Sequence, residues 1–235
     1  MATERPRWEF EGLEDRVPFL ARLEEEDRTT LLSTGRALQF STRTAVLRQD
    51  EPSTHVLLIL RGWTKVTASA AGNGYEALLA LRGPGDIVGE AAAVSSRPRS
   101  ATVTTLEPVE AVAIEQDRFA SFLRDCPGAA MQLLSLTSDR LRSGDRHRLQ
   151  AAALPVRERL AVLLLDLIRA HGHRTDAGIE VRVPLSKQEL AGSIGASREM
   201  VQRLLRELRD RGVVTTGRRT LVVLRPDVLR RMARI

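Results

Sequence analysis

From residue 17 to 35 the stretch "VPFLARLEEEDRTTLLSTG" sets apolar residues three and four apart, the period of short helices. The period then drops to two. Between 36 and 115, brief alternating runs broken by glycine and proline predict strands: "HVLLILRGWTKVTAS", "YEALLALRGPGDIV" and "SATVTTLEPVEAVAI" read as hairpins of a sandwich or roll. Turns are expected at Gly62, at Gly72 to Gly74 and at Pro84-Gly85. From Asp117 the helical period returns. "DRFASFLRDC" predicts a short helix, a long one runs from about Gly128 to Ala153, and Pro155 separates it from a further helix in "VRERLAVLLLDLIRAHG". With no low-complexity linker in view, the long helix itself is the expected connector between two domains.

The C-terminal stretch "LSKQELAGSIGASREMVQRLLRELRDRG" carries the most specific local signal. Ser186 with Glu189 three residues on forms a capping box, a tight turn is expected through Gly195, and Ser197 caps a second helix. This is the spacing of a helix-turn-helix. Leu190, Ile194, Met200, Val201, Leu204, Leu205 and Leu208 form its buried faces, which leaves Arg198, Glu199, Gln202, Arg203 and Arg206 on the outer side of the second helix. Arginine can donate twice to guanine and glutamate can accept from cytosine, so this outer set suits a DNA major groove. "VVTTGRRTLVVL" then reads as a hairpin with Gly217 at its tip, a wing whose Arg218 and Arg219 suit phosphates.

Charge sharpens the picture. The net charge is only +6, but residues 1 to 30 are rich in acids and the chain from Leu185 onward in arginines, which predicts an anionic partner for the C-terminal part. Lys65 and Lys187 are the only lysines. A 43% hydrophobic share, a longest apolar run of "LAVLLLDLI" and an N-terminus without an apolar core predict a cytoplasmic chain with no membrane span. The single cysteine, Cys126, excludes an intramolecular disulfide and a cysteine-held iron-sulfur cluster. His55, His147, His171 and His173 are scattered, the last two read as loop residues, and no metal or haem site is expected. Neither a Walker-type loop nor a GxSxG stretch occurs, so the chain is not read as an enzyme.

Taken in order along its whole length, the chain resembles transcription regulators of the cyclic-AMP receptor protein and fumarate-nitrate regulator family, on the strength of "SREMVQRLLRELRDRG" and of "GDIVGEAAAVSSRPRSATV" at 85 to 103. The resemblance implies an α+β fold: a cyclic-nucleotide-binding-type β-roll over 1–126, a dimerisation helix over 127–154 and a winged helix-turn-helix over 155–235. It implies a homodimer on double-stranded DNA, with RNA polymerase as a further partner of an activator. Arg198, Glu199 and Arg203 take the family's base-reading positions, and Lys187, Gln188, Ser197, Gln202, Arg218 and Arg219 are further expected DNA contacts.

In the same family a Gly-Glu pair followed at this distance by Arg-Ser-Ala holds a cyclic nucleotide, cAMP or cGMP, which makes Gly89, Glu90, Arg99 and Ser100 the expected cassette. The implied roles put Glu90 on the ribose 2′-hydroxyl and Arg99 and Ser100 on the cyclic phosphate. The residue types agree: an acceptor for a hydroxyl, a planar cationic fork and a hydroxyl donor, beside small Ala91 to Ala93. A buried Glu-Arg salt bridge is the alternative use of the same residues, in a regulator of this fold that binds no cyclic nucleotide. Two departures stand out. "RQDEPS" at 48 to 53 lacks the glycine that family members commonly carry before a glutamate, and Gly144 and Asp145 stand where Thr-Ser usually meets adenine. The Asp145 carboxylate is an acceptor and suits guanine's adjacent donors.

Overall fold

The run "VLLI" owes its unbroken hydrophobicity to burial on two sides. In the computed structural model, which describes residues 17–69, 76–181, 183, 185–217 and 220–234, it lies in strand β3, Val56–Arg61. Leu57 and Ile59 face the interior of a roll with Leu47, Val88, Val103 and Val109. Val56 and Leu58 face a layer of helices, against Phe19, Leu31, Phe119, Phe122, Leu133 and Leu136. Successive strand residues point to opposite faces, so a strand between two cores must be apolar throughout.

The roll is two four-stranded antiparallel sheets. One has the order β1 (Arg36–Phe40), β8 (Val109–Ile114), β3 and β6 (Ile87–Val88). The other runs β2 (Ala45–Leu47), β7 (Thr102–Thr105), β4 (Thr64–Ser69) and β5 (Glu76–Arg82). Helices α1 (Phe19–Arg22) and α2 (Glu25–Ser33) precede the roll, α3 (Glu90–Ser95) interrupts it, and α4 (Gln116–Asp125) leads into α5 (Pro127–Ala153). Pro127 opens α5 at a position where its missing N–H costs nothing. Pro155 forces Leu154 into an extended conformation and ends it. Arg22 of α1 bonds the buried Asp139 at 2.7 Å, which ties α5 to the roll.

Beyond Pro155 lie α6 (Val156–His171), β9 (Gly172–Thr175), β10 (Gly178–Val181), α7 (Lys187–Ile194), α8 (Arg198–Asp210), β11 (Val214–Thr216), β12 (Leu221–Val223) and α9 (Pro226–Ala233). Their four strands make one antiparallel sheet, β11-β12-β10-β9. The β9–β10 hairpin corrects the sequence reading of His171 and His173: His171 ends α6 and His173 lies in β9. β9 is mostly exposed and β10 mostly half-buried, so no apolar pattern announced the hairpin. The core of this unit also takes in Leu106, Trp63 and Leu81 from the roll.

Candidate functional site

Two sites emerge. In the first, Asp50 occupies the place of the missing glycine and adopts φ 67°, a left-handed conformation that aspartate tolerates better than most residues. The turn therefore survives the substitution, and Asp50 N–H bonds the Arg99 carbonyl at 2.9 Å. Gly89, at φ 86°, starts α3; a Cβ there would stand 2.6 Å from Nη1 of Arg99. Only glycine fits that cradle.

Arg99 is 3% exposed and turned inward. Its Nε donates to Ser53 Oγ at 3.0 Å, Nη1 to the Gly89 carbonyl at 2.9 Å and Nη2 to the His55 carbonyl at 2.6 Å. Three of its five N–H donors are thus used within the roll. Burial lowers its pKa, opposed by the Glu90 and Glu51 carboxylates. Burial, and then the Arg99 charge, likewise hold the His55 imidazole below its ordinary value.

Glu90 is also buried, yet its ion-pair partner is not Arg99. Its Oε1 accepts from Nη1 of Arg140 on α5 at 2.6 Å, and Nη2 of Arg140 donates to the Ile87 carbonyl at 2.9 Å. The Nε–H of Arg140 is buried with no acceptor among the described residues. Sequence reasoning missed Arg140, because only the passage of α5 over the cassette brings it to Glu90. Ser100 is exposed beside Arg99. Gly144 and Asp145 follow Arg140 by about one turn of α5, and Asp145 is exposed with Oδ1 accepting from Arg148 at 2.6 Å.

The second site is the helix-turn-helix, and it follows the caps read from the sequence. Ser186 Oγ accepts from Glu189 N–H at 3.2 Å, and Glu189 Oε2 accepts from Ser186 N–H at 2.6 Å. Gly195 closes α7 at φ 60°, and Ser197 Oγ accepts from Met200 N–H at 3.1 Å to open α8. Leu190, Ile194, Val201, Leu204, Leu205 and Leu208 are buried and Met200 is half-buried. Lys187, Gln188, Ser197, Arg198, Glu199, Arg203 and Arg206 are exposed and Gln202 is half-buried. Arg203 rests on the Met200 sulfur at 3.0 Å and, like Arg198, has no carboxylate partner among the described residues. The wing hairpin is closed by Gly217 N–H on the Thr220 carbonyl at 2.9 Å. Arg218 and Arg219 lie outside the described residues.

Residues 37–126 match the family model described as a cyclic nucleotide-binding domain, and residues 158–232 match that of a Crp-like helix-turn-helix domain. A CRP-like cAMP-activated global transcriptional regulator of Mycobacterium tuberculosis is 30% identical over 189 residues, which cover 80% of this chain and 84% of that one. The chain belongs to the CRP/FNR family of transcription regulators. As a member of that family it is a DNA-binding transcription regulator with a cyclic-nucleotide-binding domain. It is also similar to the cyclic AMP receptor protein of Thermus thermophilus, at 32% identity over 68% of this chain and 71% of that one. Among solved structures, the c-di-GMP responsive global regulator CLP of Xanthomonas campestris superposes with a TM-score of 0.75 at 26% identity, over 85% of this chain and 99% of that one. No helix of the described residues is long and apolar enough to cross a membrane.

One further group of this CRP/FNR-family site titrates unusually. Asp86 feels the charges of Glu90 and Arg140, and its Oδ2 accepts from Gly83 N–H at 2.8 Å. Burial raises its pKa, against the pull of Arg82, the Gly83 N–H and Arg140. A carboxyl whose folded pKa is raised lowers stability as pH rises through that value, because the folded state resists ionisation. Asp86→Asn keeps an acceptor for Gly83 and removes the charge. It should therefore melt higher than wild type at neutral pH, and the gap should close as pH falls toward the ordinary carboxylate range in a thermal-melting series.

Proposed function

We propose that the protein is a homodimeric regulator whose affinity for a two-fold symmetric DNA site is set by a cyclic nucleotide held at Gly89, Glu90, Arg99 and Ser100. The observation that carries this reading is the Glu90–Arg140 pair with its acceptor-less Nε–H. A sugar hydroxyl donates and accepts at once, so it suits a carboxylate beside an unsatisfied guanidinium N–H. The two remaining N–H groups of Arg99 and the Ser100 hydroxyl suit the phosphate, and the Arg140 bond ties the cassette to α5.

The α5 helix supports the dimer. Leu133 and Leu136 pack on the roll, whereas Met131, Leu134, Leu141 and Leu149 remain exposed, and a second copy of the helix would cover them. Gly144 and Asp145 then meet the base near this seam, and the free acceptor of Asp145 favours guanine, so cGMP binds at least as well as cAMP. Arg198, Glu199 and Arg203 read bases, with Lys187, Gln188, Ser197, Gln202 and the wing's Arg218 and Arg219 as further contacts. An activator would also engage RNA polymerase.

The inward bonding of Arg99 favours a second reading, a self-satisfied roll that answers to another ligand or a protein partner. Calorimetry separates the two. Wild type titrated with cAMP, cGMP and c-di-GMP should show saturable binding of a cyclic mononucleotide that Glu90→Gln abolishes. No heat from any of them at millimolar concentration supports the second reading.

A further inference from the structure

Helix α7 precedes the recognition helix, yet much of what holds it comes from the sensor. Lys65 on β4 reaches across and its Nζ lies 3.2 Å from Oε1 of Glu189, with both side chains mostly buried at 17% and 15% exposure. Glu76 on β5 stands 3.8 Å from the same ammonium. The Glu189 carboxylate is thereby divided: Oε2 caps α7 through Ser186 N–H, and Oε1 takes the sensor's lysine.

Three further features bear on the same placement. Gly192, in the middle of α7, lies so close to β5 that a Cβ would stand 3.0 Å from the Glu76 carbonyl and 3.4 Å from Leu78 N. Trp63, two residues before Lys65 on the same face of the chain, packs edge-on to His171 with centroids 4.6 Å apart. At the other end of α7, Arg159 donates to the Ile194 carbonyl at 2.8 Å and to the Leu154 carbonyl, beyond the end of α5, at 2.7 Å. The DNA-reading face of α8 stays exposed in this arrangement.

We propose that Lys65 is a positioning residue for DNA recognition: through Glu189 it fixes α7, and with it α8, at a set angle to the sensor. A lone winged helix can swivel to meet one half-site. Two of them engage successive major grooves together only when both are held at the right angle, so loosening the contact costs the second engagement rather than the first. The inference rests on the two-half-site reading above and adds to it a residue outside the DNA-binding unit.

The test is fluorescence anisotropy of the full chain on two duplexes, a selected two-fold site and a single half-site in the same flanks. Lys65→Glu, which sets a third carboxylate beside Glu76 and Glu189, should weaken binding to the two-fold site by about tenfold or more and leave the half-site within about twofold. Lys65→Arg should bind as wild type does. Gly192→Leu should repeat the Lys65→Glu pattern by a steric route, since leucine favours the helix itself over glycine. Full wild-type affinity for the two-fold site in both disruptive variants, tighter binding in either, or equal losses on both duplexes would overturn the proposal. Wild type binding both duplexes equally would instead overturn the two-half-site reading, and Lys65 with it.

Discussion

Arg99→Ala should destabilise the roll by about 3 kcal/mol or more, a large cost for one side chain in a sensor domain. The guanidinium joins Ser53 and His55, just before β3, to Gly89, just after its pairing partner β6, and so clamps the open end of that strand pair. Removing it leaves the His55 and Gly89 carbonyls without their buried donor, at roughly 1 to 3 kcal/mol each. Lysine in its place keeps the charge but not the planar fork, so it should recover only part of the loss. Ser100→Ala, one residue on and exposed, should change stability by less than about 0.5 kcal/mol. Denaturant unfolding of the three variants measures all of this. Arg99 thus serves the fold whether or not it serves a ligand, so on the proposed function its loss should remove nucleotide binding by either route; Glu90→Gln is the cleaner probe of the cassette.

Arg203→Ala and Arg198→Ala should each cost about 1 to 3 kcal/mol of specific DNA affinity and relax the preference at one base pair per half-site. Both side chains are exposed and neither meets a carboxylate among the described residues, so engaging DNA breaks at most the weak contact of Arg203 with the Met200 sulfur. Recognition helices related by a two-fold axis enter grooves about 34 Å apart, which sets the half-site spacing at roughly one turn of DNA. Arg218→Ala in the wing contrasts with both: a phosphate contact weakens all sequences alike and leaves discrimination intact. Binding to a panel of single-base variants distinguishes these outcomes. Full discrimination by Arg203→Ala would remove that residue from the reading face.

The helix-turn-helix was legible almost residue by residue, because its signals are local. A cap, its reciprocal glutamate, a left-handed glycine and a second cap lie within twelve residues, from Ser186 to Ser197, and each acts on its own neighbours. The long helix was legible for the same reason, bounded by Pro127 and Pro155. The cassette was legible only in part. Gly89, Glu90 and Arg99 do come together, but the ion pair drawn from their spacing goes to Arg140, 50 residues from Glu90 along the chain. Nothing in the period of α5 marks Arg140 as different from Arg142 or Arg148; only the docking of the helix on the roll selects it. Lys65 is the same case. As one of two lysines among many arginines it was conspicuous, yet its partner Glu189 already had a complete local role as a capping residue.

On the proposed function, the cassette governs the DNA-binding unit. That control is tested most directly by titrating the full chain onto its selected two-fold DNA site with and without saturating cAMP or cGMP, in wild type and in Glu90→Gln. A difference in affinity between two conformations is all that a ligand can use to shift them. At least one of the two nucleotides should tighten wild-type binding by about fivefold or more, and Glu90→Gln should bind with the nucleotide as wild type binds without it. Wild-type affinity that ignores both nucleotides would contradict such control.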